Sequence, residues 1–500
     1  MLSRRDFNAA PAAFLWQRPR RRQPNLLFLI ADDHAAYVMG ADGNPQAETP
    51  AFDRLAAEGT RFHAHYCNSP VCTPSRQSLL TGQMPHFAGV TQLRTALSAD
   101  KPTLAKQLKA AGYTTAVFGK MHFNRPASPG LHGFDVMMTE AEVNREWQKE
   151  VRPTPVPEGL RTKKMPWRPF QDHARDWLNA AALPFARPDA EMKGTYIANQ
   201  AIRFLEEHRE KPFALWVSLM EPHSPFDFPW EDRNRYDPAK FDVPRVGAED
   251  AWQIPLIFRD LTREEKQGIT AAYYTSARFL DRNMGRVLAK LRDLRLEEDT
   301  LVVYTADHGY CLGHHGRFEK HCGYDQALRV PLIFRWPGRI RPGVVRDLTE
   351  HVDVAPTITD LLNAPQLPVE HGRSLRAYLE GKKPASPRAH IVSEYLENEE
   401  VYVRTAQHKL IFGSGRRERE DGYKTDNPRP GRYVRLFDLR ADSGEFKDLS
   451  KSQPDTVARL EQLALDRFRQ THPQSGSEPS GLSREEALEF YLPPRDPKPQ

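Results

Sequence analysis

The chain has 500 residues, 39% of them hydrophobic and 10% aromatic, a length that predicts one large domain with a smaller companion rather than a single core. Its 71 basic and 66 acidic residues leave a net charge of +5, and no basic stripe is interleaved with aromatics, so nucleic acid is not expected as a partner. Mean hydropathy is −0.66 and no apolar run nears twenty residues, so no membrane span is expected.

Residues 1–23 read as an address or a basic tail. Ser3-Arg4-Arg5-Asp6-Phe7 matches the start of a twin-arginine export signal, followed by a short apolar stretch over 9–16. Pro11, Arg18 and Arg20-Arg21-Arg22 depart from the usual pattern. The expected location is periplasmic or secreted, or cytoplasmic if the signal does not function.

The folded part opens with an apolar run over 26–31 that ends in Asp32-Asp33-His34, the pattern of a buried parallel strand delivering acids at its carboxyl end. A helix is predicted over 49–58, with Pro50 in its first turn, and another over 103–111, stopped by Gly112. Strands follow over 113–118, 213–219 and 300–305; the last two end in Glu221-Pro222-His223 and Asp307-His308-Gly309. Long helices are predicted near 195–209 and 262–293. Strands alternating with helices predict an α/β fold, a mostly parallel sheet covered on both faces. Ligands in such sheets bind beyond the strand carboxyl ends, where every polar cluster here falls.

Residues 140–190 are rich in Pro and Arg, carry Trp147, Trp167 and Trp177, and read as an irregular insertion rimming the site. After about 385, short strand-like pieces over 389–395, 400–405, 409–412 and 433–438 predict a small antiparallel sheet, closed by a helix over 454–468. The domain division is therefore 24–385 for the catalytic part, 386–470 for an α+β subdomain, and 471–500 for a polar tail with one amphipathic piece at 484–491. Four cysteines are too few for a disulfide framework; Cys311 and Cys322 either pair or stay as buried thiols. Asp281 and Asp353, set in apolar helical patterns, read as structural.

The richest stretch is Cys72-Thr73-Pro74-Ser75-Arg76, running on through Gln77-Ser78-Leu79-Leu80-Thr81-Gly82. It resembles the modification motif of the type I, formylglycine-dependent sulfatases of the alkaline-phosphatase-like superfamily. The segment Gly112 to His122 resembles that family's second signature, with Phe118 where a smaller residue is usual. Asp32-Asp33, His223, Asp307-His308 and Lys320 stand in the order the family shows. Singly, each of these histidines and lysines reads as an ordinary structural or surface residue; their joint placement sets them apart. The resemblance covers roughly 24–470 and implies a large mixed, mostly parallel sheet sandwiched by helices.

A sulfatase must neutralise the sulfate oxygens, supply a nucleophile and protonate the leaving alcohol. The resemblance implies that a formylglycine-generating enzyme oxidises Cys72 to an aldehyde whose hydrate attacks sulfur, forming a covalent sulfo-enzyme. A helix from about Ser75 would set that nucleophile at a helix amino end, where anions are favoured. Asp32, Asp33, Cys72, Asp307 and His308 are implied as the metal set. Three carboxylates suit calcium or magnesium, and the histidine leaves manganese open. Arg76 is implied to stabilise the hydrate, Lys120 and Lys320 to bind sulfate, His122 to act as base in elimination, and His223 to protonate the leaving oxygen. His314, His315 and His321 are expected on the substrate side without a catalytic role. A sulfated carbohydrate is the expected substrate. A choline-sulfatase-like small-molecule enzyme, a formylglycine-dependent phosphonate or phosphodiester hydrolase, and a catalytically silent protein binding sulfated glycans are the alternatives.

Overall fold

The computed structural model describes residues 23–163, 166–417, 419, 422–425 and 431–497. Apart from Gln23, the export-signal segment expected at 1–23 lies outside the described residues.

Asn25–Ala31 is buried along its whole length. Alternate side chains of a strand point to opposite faces, so such a run requires an apolar layer on each side. Leu26, Phe28 and Ile30 enter one core, while Leu27, Leu29 and Ala31 enter the other. The helices Leu104–Ala110 and Val354–Leu362 close the first core. Pro50–Glu58, Lys193–His208 and Arg263–Asp293 close the second. The sheet between them runs Val136–Met138, Thr114–Gly119, Phe213–Ser218, Asn25–Ala31, Thr300–Ala306, Leu332–Arg335, Thr60–Phe62, Gly343–Val345. All neighbours are parallel except at Leu332–Arg335, which is antiparallel to both of its own. The mixed, mostly parallel sheet and its two helical layers agree with the sequence expectation.

Gly119 ends the Thr114–Gly119 strand beside Ser218, at a φ of +104°. A Cβ there would lie 1.8 Å from the Ser218 carbonyl oxygen. Gly119→Ala is therefore expected to destabilise the protein by about 2–4 kcal/mol in urea unfolding, and to displace Lys120, whose N–H donates to that carbonyl at 2.9 Å.

Two expectations are corrected. The helix predicted from about Ser75 begins at the cysteine itself, Cys72–Thr81; Pro74 lies in its first turn, where a missing N–H costs nothing. The 140–190 region is not uniformly irregular, since Glu140–Glu150 is a helix. Val143 and Trp147, spaced four apart, bury one stripe of it, and Glu140 and Glu142 occupy the first turn. The amphipathic piece expected at 484–491 is present as a helix. Ser483 and Glu486 form a capping box for the helix Arg484–Tyr491, and Leu488 and Tyr491 pack into the C-terminal core with Phe468. The Asp496 carboxylate then accepts the N–H groups of Thr91 and Gln92 and the Thr95 hydroxyl, tying the end of the chain to the catalytic part.

The C-terminal sheet is antiparallel in the order His390–Tyr395, Glu400–Thr405, His408–Gly413, Tyr433–Asp438, and Pro454–Thr471 covers it. Arg467 from that helix donates both guanidinium arms to Glu350 at 3.1 Å. Asp281 accepts the N–H groups of Ala51 and Phe52 at the start of Pro50–Glu58. Asp353 accepts those of Glu350 and Arg373. Both are structural, as read. Cys311 and Cys322 are thiols whose sulfurs lie 3.7 Å apart.

Candidate active site

The carboxyl ends of three neighbouring strands build the site. Asn25–Ala31 delivers Asp32 and Asp33, Thr300–Ala306 delivers Asp307 and His308, and Phe213–Ser218 leads into His223. Asp33 adopts a left-handed φ of 64°, a conformation aspartate tolerates better than most residues. Its carbonyl accepts a 2.5 Å hydrogen bond from the Tyr273 hydroxyl, which in turn accepts the Ala35 N–H at 2.9 Å. That clamp holds the turn that aims both carboxylates inward.

Cys72 meets them as the first residue of a helix whose ten residues are all buried. Its Sγ is met by Lys320 Nζ at 3.0 Å, His308 Nε2 at 3.2 Å, Asp32 Oδ1 at 3.6 Å and Lys120 Nζ at 3.8 Å. The first N–H groups of the helix have no intrahelical acceptor, and such a helix start favours an anion bound beside it.

The cations are held on the acids. Lys120 pairs with Asp32, and Lys320 donates to Asp33 Oδ1 at 2.6 Å. Arg76 donates through Nε to Asp307 Oδ2 at 2.8 Å, and through its other arm to the Lys120 carbonyl at 2.6 Å and Ser218 Oγ at 2.8 Å. Arg76 therefore holds the acids and backbone that frame Cys72. Ser218 and Glu140, which accepts the N–H groups of Met121 and His122 at 3.1 and 2.7 Å, escaped the sequence reading. A serine at a strand end and a glutamate opening a helix carry no motif signal.

The electrostatics follow from this pairing. Burial opposes the Asp32 charge, but Lys120, His223, Arg76 and Lys320 together hold its carboxyl well below the usual range. Burial raises Asp307 against the pull of Arg76, with the Asp32 charge adding to the rise. Burial lowers His308 and His223, each against the pull of the aspartates beside it. Burial and Lys120 likewise lower His122; its Nδ1 is buried without a hydrogen-bond partner. His122 feels the charges of Lys120, Glu140, Asp32 and Arg76. His223 lies with Nε2 3.9 Å from Asp33 Oδ2 and Nδ1 2.6 Å from the Ser224 carbonyl. Trp167, 45% exposed, stands edge-on to the His223 ring at 5.4 Å.

His315, expected to line the substrate side, is turned away. It is buried, stacked on Tyr324 at 3.5 Å and bonded to Asp250 at 3.1 Å. His314 packs edge-on against Tyr37, and His321 lies between Tyr395 and Tyr423.

Two overlapping groups, Asp32, Asp33, Cys72 and His223, and Asp32, Cys72, Asp307 and His308, each place their donor atoms within 4.8 Å of one another. A sheet of this order, with acids converging on a cysteine at a buried helix amino end, is that of the alkaline-phosphatase-like hydrolases. The sulfatase family model matches residues 24–364, and the C-terminal model of N-sulphoglucosamine sulphohydrolase matches 313–470. The chain belongs to the sulfatase family and is a sulfuric ester hydrolase.

Among curated relatives, it is 26% identical to the choline-sulfatase of Rhizobium meliloti, over 90% of this chain and 87% of that protein. It is 25% identical to the N-acetylglucosamine-6-O-sulfatase of Bacteroides thetaiotaomicron, over 89% and 87% respectively. The solved phosphonate monoester hydrolase of Silicibacter pomeroyi superposes with a TM-score of 0.74 at 25% identity, over 91% of this chain and 97% of that one.

Proposed function

We propose that Cys72 is oxidised to formylglycine, and that the mature enzyme uses one calcium ion to remove sulfate from a sulfated carbohydrate. The observation that carries this reading is the surround of Cys72: two lysines, an aspartate and a histidine converge on one sulfur at the amino end of a buried helix. In the mature protein that sulfur stands for the oxygen of an aldehyde hydrate.

The donor set fits a hard divalent cation. Asp32 and Cys72 are shared by two donor groups, one completed by Asp33 and His223 and the other by Asp307 and His308, and Asp33 Oδ2 is buried without a hydrogen-bond partner. Asp32, Asp33 and Asp307 are already balanced by Arg76, Lys120 and Lys320, so a divalent ion leaves the site net positive toward a sulfate monoanion. When bound, the ion acidifies the hydroxyl of the nucleophile and screens the incoming sulfate. Lys120 and Lys320 bracket the nucleophile and are set to hold sulfate oxygens. His223 presents Nε2 as the atom from which a proton reaches the leaving oxygen. Neutral His122 is the base that accepts a proton when sulfate is expelled. Magnesium and manganese are the competing ions.

Two likenesses support the carbohydrate: the relative named for N-acetylglucosamine 6-O-sulfate and the matching C-terminal model named for N-sulphoglucosamine. The fold of the phosphonate monoester hydrolase supports a second reading, a phosphonate or phosphodiester hydrolase. The start of the chain, Ser3-Arg4-Arg5-Asp6-Phe7, supports export to the periplasm or beyond, which cell fractionation checks.

Mass spectrometry of the tryptic peptide 62–76 from the native source tests the modification. The expected result is an aldehyde at position 72 with Cys67 still an alkylatable thiol; two intact thiols in active protein overturn it. Chelation is expected to abolish turnover and calcium to restore it. Turnover of nitrophenyl sulfate should exceed that of the phosphonate ester, and the reverse by orders of magnitude sinks the sulfatase chemistry.

A further inference from the structure

Beside Lys120 and His223 a second cleft opens, between the helices Glu140–Glu150 and Lys193–His208. Its wall is apolar where Val143, Trp147 and Ile197 line it. Its polar lining is unlike that of the sulfate site. Three carboxyl groups, Glu140, Glu221 and Asp227, face it against one further amine, Lys193.

Glu221 is the unusual member. It is only 7% exposed, and its Oε2 is buried without a hydrogen-bond partner. Its other oxygen lies so close to Gly194 that a Cβ there would stand 2.6 Å away, so the carboxyl is wedged against the first turn of the Lys193–His208 helix. The nearby amine is engaged elsewhere: Lys193 donates to Asn144 at 3.1 Å and lies over the Trp147 ring at 5.4 Å. Glu140 spends one oxygen on the N–H groups of Met121 and His122. A buried acceptor left unpaired is costly, and a cationic donor is the partner that offsets most of that cost.

We propose that this cleft receives a primary ammonium group carried by the alcohol whose sulfate ester is cleaved, with Glu221 Oε2 as its acceptor and Asp227 and Glu140 adding negative potential. The inference rests on reading Lys120 and His223 as sulfate-handling residues, because those two side chains join the cleft to the site. A carboxylate oxygen lacking a donor selects N–H over a quaternary nitrogen, which brings charge without a hydrogen. The substrate class is therefore a sulfated amino sugar with its amine free. N-acetylation removes both the charge and the ammonium donors, and weakens binding at this cleft.

Steady-state kinetics on matured, calcium-loaded protein test this. Glucosamine 6-sulfate and glucosamine 3-sulfate are each compared with the N-acetylated counterpart, alongside choline O-sulfate and 4-nitrophenyl sulfate. The free amine is expected to be favoured by about tenfold or more, chiefly through KM, and choline O-sulfate to lack that advantage. Glu221→Gln should bring the amine-to-acetamide ratio to within about twofold. Asp227→Asn, which leaves the wedged carboxyl in place, should reduce the ratio partially and serves if Glu221→Gln does not fold. Equal use of both forms by the wild type, preference for the acetamide or choline ester, or a ratio that survives the folded variants overturns the proposal. Hydrolysis of 4-nitrophenyl sulfate without turnover of any glucosamine sulfate also overturns it while leaving the sulfatase reading intact. Failure on every sulfate ester means the underlying reading has failed, and the inference with it.

Discussion

Cys72→Ala is expected to remove sulfate-ester turnover by at least about four orders of magnitude, the scale on which loss of a covalent nucleophile acts. Alanine keeps the helix start and removes one sulfur, so the far-UV circular dichroism and the cooperative unfolding transition should persist. The four groups around the sulfur, Lys320, His308, Asp32 and Lys120, keep their partners, Lys120 on Asp32 and Lys320 and His308 beside Asp33, and have no reason to disperse. Turnover within tenfold of wild type in this variant would falsify the proposed nucleophile outright. Serine at the same position is a sharper probe: it supplies an oxygen, but lacks the second hydroxyl that allows sulfate to be expelled by elimination.

The second large effect is on stability. Arg76 is fully buried and neutralises Asp307, at 2.8 Å, with Asp32 at 3.6 Å. Removing one partner of a buried pair strands the other, at a cost of about 3–5 kcal/mol. Arg76→Met is therefore expected to lose about that much in metal-free urea unfolding, together with nearly all activity. Arg76→Lys should recover part of the stability but little activity, since one ammonium cannot serve Asp307, Ser218 and the Lys120 carbonyl from the positions a planar fork reaches. If Arg76→Met unfolds at the wild-type midpoint, the pair is not what holds these acids in place.

Much of this was legible from sequence because the strands that carry the chemistry are buried on both faces and end abruptly in charge. The run before Asp32-Asp33 and the run before Asp307-His308 announce both the element and its functional end. The parts that were not legible depend on partners far along the chain. Ser218 matters because Arg76, 142 positions away, folds back onto it. Glu140 matters because it accepts two N–H groups from the loop after Lys120. His315 looked like a site residue by proximity in sequence, yet a left-handed φ of 55° accompanies its turn toward Asp250 and Tyr324. The amphipathic piece expected at 484–491 is a helix, but that Ala487, Leu488, Tyr491 and Leu492 join the C-terminal core was not legible in so polar a stretch.

The helix that begins at Cys72 has no exposed residue, and Cys72 itself is 1% exposed. No protein catalyst can grip Thr73 to Arg76 once the sheet has closed around them, so the proposed oxidation of Cys72 would have to precede folding. The decision between a live and a dead molecule is then taken during biosynthesis and cannot be revised afterwards. A purified batch becomes a mixture of two populations with the same fold, separated only by whether the modifying enzyme won a race against collapse of the chain. Specific activity per folded molecule then measures how that race went in the producing cell, and supplying the modifying enzyme to finished protein should leave it unchanged.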